Sequence, residues 1–456
     1  MNADRSLFSR ANATLVYLVA VLLLGGASAA SFAANTLLQL LGAVMIGWTL
    51  WSGTGHYQTR TGLRGFAIAL AVLAGVQFLP LPPGLWQAFP GRDTVAQGFA
   101  LLDLPTPWLQ LSLAPWKSIA SLAWWIPALA LFLAVRAEGG PPVRQLVWTI
   151  ALIAALSVLV GTMQQVTGSG YFYRVTNYGE GPGFFANSNH QGSFLLCALA
   201  LWGGHAVNEM RGERRRTRNS VSLVHYGIGA LLAFGVLISG SLACVVLLVP
   251  VCGAVALMAR PDWRLPLPAV IGLGVIVVTG LIAFLVFGPV ANDLTAKGTV
   301  AGISRQEFLI TGSRILLDFA PFGTGLGTFQ DIYRWYEDAA LVGPTYVNHA
   351  HDDLLELLIE TGIFGLAALG MFLAWFVPRA AALWRGNRDA AMAMAASVVI
   401  GAELLHSLVD YPLRTAAMSS VMALACVLLV RAPEAVRSSG RERRTAPDAP
   451  RQLLKI

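Results

Sequence analysis

The feature that most constrains this chain is a series of apolar segments, each long enough to cross a bilayer as a helix. About twelve such windows occur, near residues 12–28, 35–51, 65–80, 118–135, 144–162, 190–208, 222–239, 241–259, 267–287, 353–376, 390–408 and 413–431. The composition agrees, because 56% of the 456 residues are hydrophobic and only 12% are charged. A segment inside lipid must satisfy its own backbone hydrogen bonds, which a helix does. We therefore predict an all-α, polytopic membrane protein with about twelve transmembrane helices.

The distribution of positive charge predicts the orientation of these segments. Cytoplasmic loops carry an excess of Lys and Arg, and most of the 31 in this chain share one side when the N-terminus is placed inside. Both termini are therefore expected in the cytoplasm. The net charge of +7 then reflects topology and does not indicate nucleic-acid binding. The first segment is interpreted as a spanning helix, although the following "GGASAASFA" leaves a cleaved signal peptide as an alternative.

This topology divides the chain into four parts. They are nine spanning helices with two shorter external loops (81–117 and 163–189), a large periplasmic loop, three further helices and a basic cytoplasmic tail, over residues 1–287, 288–349, 350–431 and 432–456. Apolar spacing in the large loop predicts amphipathic helices over 304–319 and 328–339. The internal loops are short and basic, so any active site is expected on the external side.

The four cysteines give no sign of a cofactor or a disulfide framework. Cys197, Cys244, Cys252 and Cys426 all fall inside apolar segments, where a thiol is expected to act as a packing residue. The sequence lacks the cysteine and histidine spacings of haem, zinc-knuckle and iron–sulfur sites. We therefore expect no cofactor.

Polar residues concentrate in "YVNHAHDDLLELLIETGIFG", residues 346–365, at the start of an apolar segment. Asp352 and Asp353 stand where a helix begins, and the helix dipole stabilises carboxylates there. A helix start therefore accounts for these two without any function. Glu356 and Glu360 share one helix face further along, and carboxylates inside a spanning segment usually face a cavity or a partner.

Two histidines in the same stretch allow a metal site or a general base. "HAHDD" resembles the H-x-H-x-D-H run of metallo-hydrolases, but Leu354 occupies the position of the last histidine. A histidine beside an external cavity titrates near neutral pH and can accept a proton from a hydroxyl. We therefore interpret the pair as part of a metal-free, base-catalysed site.

The run "APFGTGLGTF" within the large loop also has two interpretations. Gly323, Gly325 and Gly327 could bring backbone amides close to a phosphate. A flexible turn between two surface helices would use the same glycines. Spacing alone does not decide between them.

Several segments together resemble the O-antigen ligase and polymerase superfamily of bacterial envelope glycosyltransferases. "LPPGLWQAFPGR" and "LSLAPWKS" are similar to the first external loop of that family, and "GFFANSNHQGSFLLCALAL" to its G-x-F-x-N-x-N-H segment. "SRQEFLITGSRILLDFAPFGTGLGTFQ" resembles the run R-x-x-x-W-x-x-[ST]-L…P-x-G-x-G-x-G-x-F. "HAHDDLLELLIETGIFG" resembles H-x-H-N-D-x-L-x-L-x-x-E-x-G-x-x-G. The last two, in this order, are the specific signal.

The resemblance implies a metal-independent, inverting glycosyltransferase of GT-C-like fold in the bacterial inner membrane, with a periplasmic active site. Such enzymes take a glycan from undecaprenyl diphosphate and pass it to a sugar hydroxyl. The acceptor is lipid A–core for a ligase and the growing glycan on its lipid carrier for a polymerase, of O-antigen or exopolysaccharide, and the motifs do not separate these. A twelve-helix transporter is a more distant alternative. Against it, the polar residues crowd one external loop instead of the bilayer midplane.

The resemblance also implies roles for individual residues. His351 matches the catalytic histidine of the family. Arg305 matches its loop arginine, and a guanidinium suits a leaving diphosphate because it stays charged and binds two oxygens at once. The substrate-binding residues expected from the same segments are His349, Glu356, Glu360, Asn187 and Asn189.

The chain departs from the family at three positions. The family has a Ser-Arg-Gly where two helices meet outside, but "SGSLACV" here places Leu242 at the arginine position. Arg174 and Arg314 are the candidates to replace that arginine as substrate-binding residues. Asp352 replaces the commoner Asn, and Phe308 replaces the commoner Trp.

Overall fold

The computed structural model describes residues 9–28, 33–52, 63–212, 218–260, 272, 305–339, 347–385 and 390–431. The helices are α1 (Arg10–Leu24), α2 (Ala33–Trp51), α3 (Leu63–Val76), α4 (Pro83–Gln87), α5 (Asp93–Leu101), α6 (Pro115–Ala123), α7 (Ile126–Arg136), α8 (Val143–Thr167), α9 (Ser188–Gly212), α10 (Arg218–Ile238), α11 (Leu242–Ala259), α12 (Arg305–Phe319), α13 (Phe329–Tyr336), α14 (Asp353–Arg385), α15 (Ala391–His406) and α16 (Ala416–Arg431). A 3₁₀ turn, Pro412–Arg414, joins α15 to α16. Two short strands, β1 (Pro80–Leu81) and β2 (Leu109–Gln110), pair antiparallel. The all-α expectation is confirmed.

Apolar helices dominate the described residues, as expected of an integral membrane protein. Five stretches are long and apolar enough to cross a bilayer, namely α2, the α6–α7 pair, α8, α11 and α14. Shorter apolar helices include α1, α15 and α16. The ninth apolar window, 267–287, lies outside the described residues except for residue 272, and so do the tail 432–456 and residues 288–304 of the large loop.

Helix α9 lies at the centre of the bundle. It packs against α8, α10, α11 and α15. Every residue from Phe194 to Trp202 is buried, so all sides of this stretch face other helices. A helix that is apolar all round belongs in such a position. Helix α16 packs against α7 and α15 and extends the same core.

A second, smaller core joins α12 and α13 to the chain just before α14. Ile315, Phe319 and Phe329 are buried there against Ile359 of α14. Both helices were expected from apolar spacing, and both are found close to the expected residues. The smaller core therefore holds the two polar helices against the start of α14.

Helix α14 is interrupted at Gly362, whose φ of 54° and ψ of −134° are not helical. The glycine-rich run fits into this interruption. The amide of Gly325 donates to the carbonyl of Glu360 at 2.8 Å, and that of Ile363 donates to the carbonyl of Pro321 at 2.8 Å. Glu356 and Glu360 therefore lie before the break, and the apolar helix continues to Arg385, beyond the expected end at 376.

Candidate active site

His351 stands between two aromatic rings immediately before α14. The Phe308 ring is stacked on the imidazole with centroids 5.0 Å apart, and the Tyr411 ring meets it edge-on at 4.9 Å. The His351 backbone has a φ of 54°, which is uncommon for a residue with a side chain and costs free energy. Its side chain is 28% exposed. The histidine is thus held in one orientation and remains reachable from solvent.

Asp410 is the carboxylate that faces His351. The Oδ1 of Asp410 lies 3.9 Å from the Nδ1 of His351 and 3.6 Å from the Nε2 of His190. The same oxygen accepts the backbone N–H of Tyr411 at 2.8 Å, and Oδ2 accepts a hydrogen bond from the Asn189 amide. Asp410 is 1% exposed. The site therefore contains a buried carboxylate shared by two histidines.

The surroundings keep Asp410 ionised and Tyr411 protonated. Burial alone would raise the pKa of Asp410, but the close imidazole of His190 and the electrostatic effect of His190, His351 and His406 outweigh it and hold this pKa well below its usual range. Burial and the charge of Asp410 raise the pKa of Tyr411 well above its usual range. Tyr411 therefore contributes a ring and a hydroxyl that stays protonated.

A second group of charges surrounds Arg414. Its guanidinium lies 3.3 Å from Asp353, 3.1 Å from Glu356 and 3.2 Å from Glu360. Burial opposes its charge, yet the three carboxylates outweigh burial and raise the pKa of Arg414 above its usual range. Arg414 thereby joins three carboxylates of α14 to the turn between α15 and α16.

The two histidines of the motif have different surroundings. The Nδ1 of His349 lies 2.9 Å from the Oε1 of Glu356, within the Arg414 group, and its side chain is only 14% exposed. The other oxygen of Glu356 accepts the backbone N–H of Ala350 at 2.8 Å. His349 is therefore tied to the protein, whereas His351 is the more open of the two.

Glu356 and Glu360, both expected to bind substrate, are almost completely buried and have protein partners. Glu360 accepts the backbone N–H of Phe329 at 3.3 Å and that of Gly327, in addition to its contact with Arg414. In this arrangement the two carboxylates connect α13, α14 and the 3₁₀ turn.

Asn187 and Asn189 lie beside the same group. Asn189 donates to Asp410, and Asn187 is hydrogen-bonded to the hydroxyl of Tyr411. The Oδ1 of Asn187 also accepts the backbone N–H of Asn189 at 2.8 Å. The start of α9 therefore contributes two amides to the surroundings of His351.

The arginines expected at the site are placed differently. Arg305 is the first residue of α12, but its side chain lies outside the described residues. Arg314 is exposed on the same helix, and Arg174 is exposed in the 163–189 loop. Leu242, at the family's usual arginine position, is the first residue of α11 and 42% exposed.

The glycine-rich run is a packing element and does not form an open cradle for phosphate. The amides of Gly323 and Gly325 donate to the carbonyls of Phe319 and Glu360, and that of Gly327 to the Glu360 carboxylate. A Cβ on Gly325 would lie 2.2 Å from the Ser112 hydroxyl. These amides are therefore already engaged, and the phosphate-binding interpretation of the run does not fit.

Asp352 caps the start of α14, as its position in the sequence predicts. Its Oδ1 accepts the backbone N–H groups of Leu354 and Leu355 at 2.9 and 3.0 Å. Burial, partly offset by these hydrogen bonds, raises the pKa of Asp352 to about 6. Among the residues described, no group of three or more His, Cys, Asp and Glu side chains is arranged to hold a metal ion.

Three residues of this site were not identified from the sequence. Asp410, Tyr411 and Arg414 come from "VDYPLR", residues 409–414, between two apolar segments. The available signal was an acidic and a basic residue at a membrane boundary, where charge is costly. His190 was noticed only as part of a family segment.

Residues 227–370 match a family model described as O-antigen ligase. The matched segment runs from α10 into α14 and includes His351, Glu356 and Glu360. Asp410 and Arg414 lie beyond its end. The resemblance inferred from the sequence motifs is thereby confirmed for this part of the chain. No curated protein matches the chain.

Proposed function

We propose that this integral membrane protein, whose residues 227–370 are those of an O-antigen ligase domain, transfers a glycan from undecaprenyl diphosphate to a sugar hydroxyl of lipid A–core. One observation carries the proposal. It is the reachable imidazole of His351, held between Phe308 and Tyr411 with its Nδ1 facing the ionised Asp410. An inverting transfer needs one base at this position and no metal ion.

The proposed step is a direct displacement at the anomeric carbon. The acceptor oxygen forms a bond to that carbon on one side while the bond to the diphosphate oxygen breaks on the other, which inverts the configuration. The hydroxyl proton passes to Nε2 of His351, on the ring edge opposite Asp410. The electron pair of the broken bond leaves with undecaprenyl diphosphate. The Asp410 carboxylate stabilises the imidazolium that forms.

The leaving diphosphate requires a permanent positive charge, and we assign this role to Arg305. Arg305 precedes Phe308 by three residues in α12, and residues three apart on a helix lie on the same face. Since Phe308 stacks on His351, the position of Arg305 is on the His351 side of α12. Arg174 and Arg314 have no such relation to His351. Arg414 is already neutralised by three carboxylates.

The arrangement in the membrane is part of the proposal. About twelve spanning helices in a GT-C-like arrangement, a large periplasmic loop over 288–349 and cytoplasmic termini would place His351 at the periplasmic face of the inner membrane. The proposal divides the chain into the four parts expected from the sequence, 1–287, 288–349, 350–431 and 432–456.

Glycan transfer by purified protein tests the assignment. His351→Ala should lower turnover by ~10²–10⁴-fold, the usual effect of losing a general base, while donor binding stays nearly unchanged. His349→Ala should cost much less, because His349 is engaged by Glu356. Saturating EDTA should leave the activity unchanged.

The products distinguish the ligase from its alternative. Glycan joined to lipid A–core supports the ligase, whereas longer glycan on the lipid carrier, formed without lipid A–core, would make the chain a polymerase. Equal losses from both histidine variants, or loss of activity on chelation, would contradict the base mechanism.

A further inference from the structure

The loop over residues 81–117 has an apolar edge that is not covered by the rest of the described chain. Leu101, Leu102, Leu104 and Trp108 are 85%, 69%, 54% and 64% exposed. These four residues, called the loop edge below, follow one another at the end of α5 and before β2. Asp103 is the only charged residue between them. Single exposed apolar side chains are ordinary, but a contiguous group marks a contact surface.

The loop begins and ends at apolar helices. It follows α3, which ends at Val76, and precedes the α6–α7 stretch that begins at Pro115 and is long enough to cross a bilayer. Trp116 and Ile119, on the first turns of α6, are 66% and 61% exposed. The loop edge is therefore followed in the chain by exposed apolar side chains at the start of a spanning segment.

The chemistry of this region fits the boundary between lipid and water. Tryptophan is enriched at that boundary, where its ring meets both environments, and both Trp108 and Trp116 are exposed here. The ammonium group of Lys117 lies 5.2 Å from the centre of the Trp116 ring, so a positive charge adjoins the exposed aromatic side chain.

The remainder of the loop is held by contacts with the glycine-rich run and with α13. Arg92 is buried and donates to the carbonyls of Leu111 and Gly323 at 2.8 and 3.1 Å. Lys117 forms an ion pair with Asp331 of α13 at 2.6 Å. The exposure of the loop edge is therefore not the result of a loose loop, because residues on both sides of it are held.

We propose that the loop edge inserts into the lipid leaflet on its side of the membrane and acts as an interfacial anchor. Through Arg92 and Lys117 this anchor sets the height of the glycine-rich run and α13 relative to the lipid headgroups. Lipid is favoured over a second copy of the chain because the edge continues into the exposed apolar face of α6. The inference does not depend on glycan transfer.

Nitroxide labels test this placement in bilayers. Leu102→Cys and Leu104→Cys are made in a Cys252→Ala chain, because Cys252 is exposed and the other three cysteines are buried. Arg334→Cys is the matched control, on an exposed position of the polar helix α13. The Cys252→Ala parent measures background labelling. Collision rates with oxygen, which concentrates in lipid, are compared with those of a nickel chelate, which stays in water.

We expect the oxygen-to-nickel ratio at positions 102 and 104 to exceed that at position 334 severalfold. Equal ratios at all three positions would place the edge in water and overturn the proposal. Spin–spin broadening at position 102 that disappears on dilution with unlabelled protein would also overturn it, since a second copy would then cover the edge. Neither result involves activity, so failure here leaves the proposed function untouched.

Discussion

Single residues determine what the candidate site can do, and Asp410 receives contacts from two distant parts of the chain. Asn189 lies 221 residues before it in the sequence, and His351 comes from the start of α14. The motif around His351 led to the prediction of a base, because a histidine beside an external cavity can accept a proton near neutral pH. The place of Asp410 in the site was not predictable. Apolar periodicity shows where α15 and α16 end, but it does not show which residues the turn between them contacts.

Replacing the carboxylate tests whether its charge is needed. Asp410→Asn should lower transfer by about 10²-fold or more, because the imidazolium formed at His351 loses its stabilising charge. Asp410→Asn combined with Asn189→Asp restores a carboxylate–amide pair but moves the charge to α9. We expect this double variant to recover thermal stability and not activity. Full activity in Asp410→Asn, measured as glycan transfer by purified protein, would exclude the proposed role.

Asp352 provides a prediction about pH. Its folded pKa of about 6 is above the unfolded value near 3.9, so the folded protein binds the proton more tightly. Stability associated with this group is therefore present below pH ~4 and is lost as pH rises towards 6. Asp352→Asn keeps the hydrogen bonds to Leu354 and Leu355 but has no carboxyl to ionise.

Asp352→Asn should therefore raise the melting temperature more at pH 7.5 than at pH 4.5. The difference in unfolding free energy between the two pH values is at most about 3 kcal/mol, from 1.36 kcal/mol per pKa unit. Thermal unfolding in detergent at both pH values measures it. A variant that gains the same stability at both pH values would show that ionisation of Asp352 costs the fold nothing.

Among the elements, the glycine-rich run packs into the interruption of helix α14 at Gly362. This contact is called the joint below. The run was ambiguous in sequence, because glycines serve equally in a phosphate loop and in a tight joint. Gly323 and Gly325, with φ of 79° and 117°, let the run enter the gap that Gly362 opens. The two stretches are separated in the chain by α13, so their contact could not be inferred from local patterns.

The joint predicts opposite effects for two glycines of the same helix. A Cβ on Gly362 would lie 2.0 Å from the carbonyl oxygen of Pro321, whereas one on Gly370 would meet no atom within 4 Å. Gly362→Ala should therefore lower both melting temperature and transfer. Gly370→Ala should be neutral or stabilise by about 0.5–1 kcal/mol, since alanine loses less backbone entropy in a helix. Equal melting temperatures for the two variants would contradict the joint.

For the whole molecule, apolar length predicted the helices well because lipid leaves a spanning segment few alternatives. The segment expected over 118–135 is instead two consecutive helices, α6 and α7, since Trp124 and Trp125 form a turn between them. The pairing of α9 with α15, which brings Asn189 to Asp410, is a property of packing between segments. The sequence pattern of a single segment does not show which other segment it packs against.

The orientation of the whole chain can be tested with two serines. Ser169 lies exposed in the 163–189 loop, and Ser439 belongs to the basic tail, which the charge distribution predicts to be cytoplasmic. Each is changed to Cys in the Cys252→Ala background and treated with a membrane-impermeant maleimide in intact spheroplasts. Ser169→Cys should be labelled at once, and Ser439→Cys only after permeabilisation. The opposite pattern would place the candidate site in the cytoplasm, away from a lipid-linked glycan donor in the periplasmic leaflet. Labelling of both in intact spheroplasts would require an even number of crossings between them, and so would exclude the odd number that joins an external loop to a cytoplasmic tail.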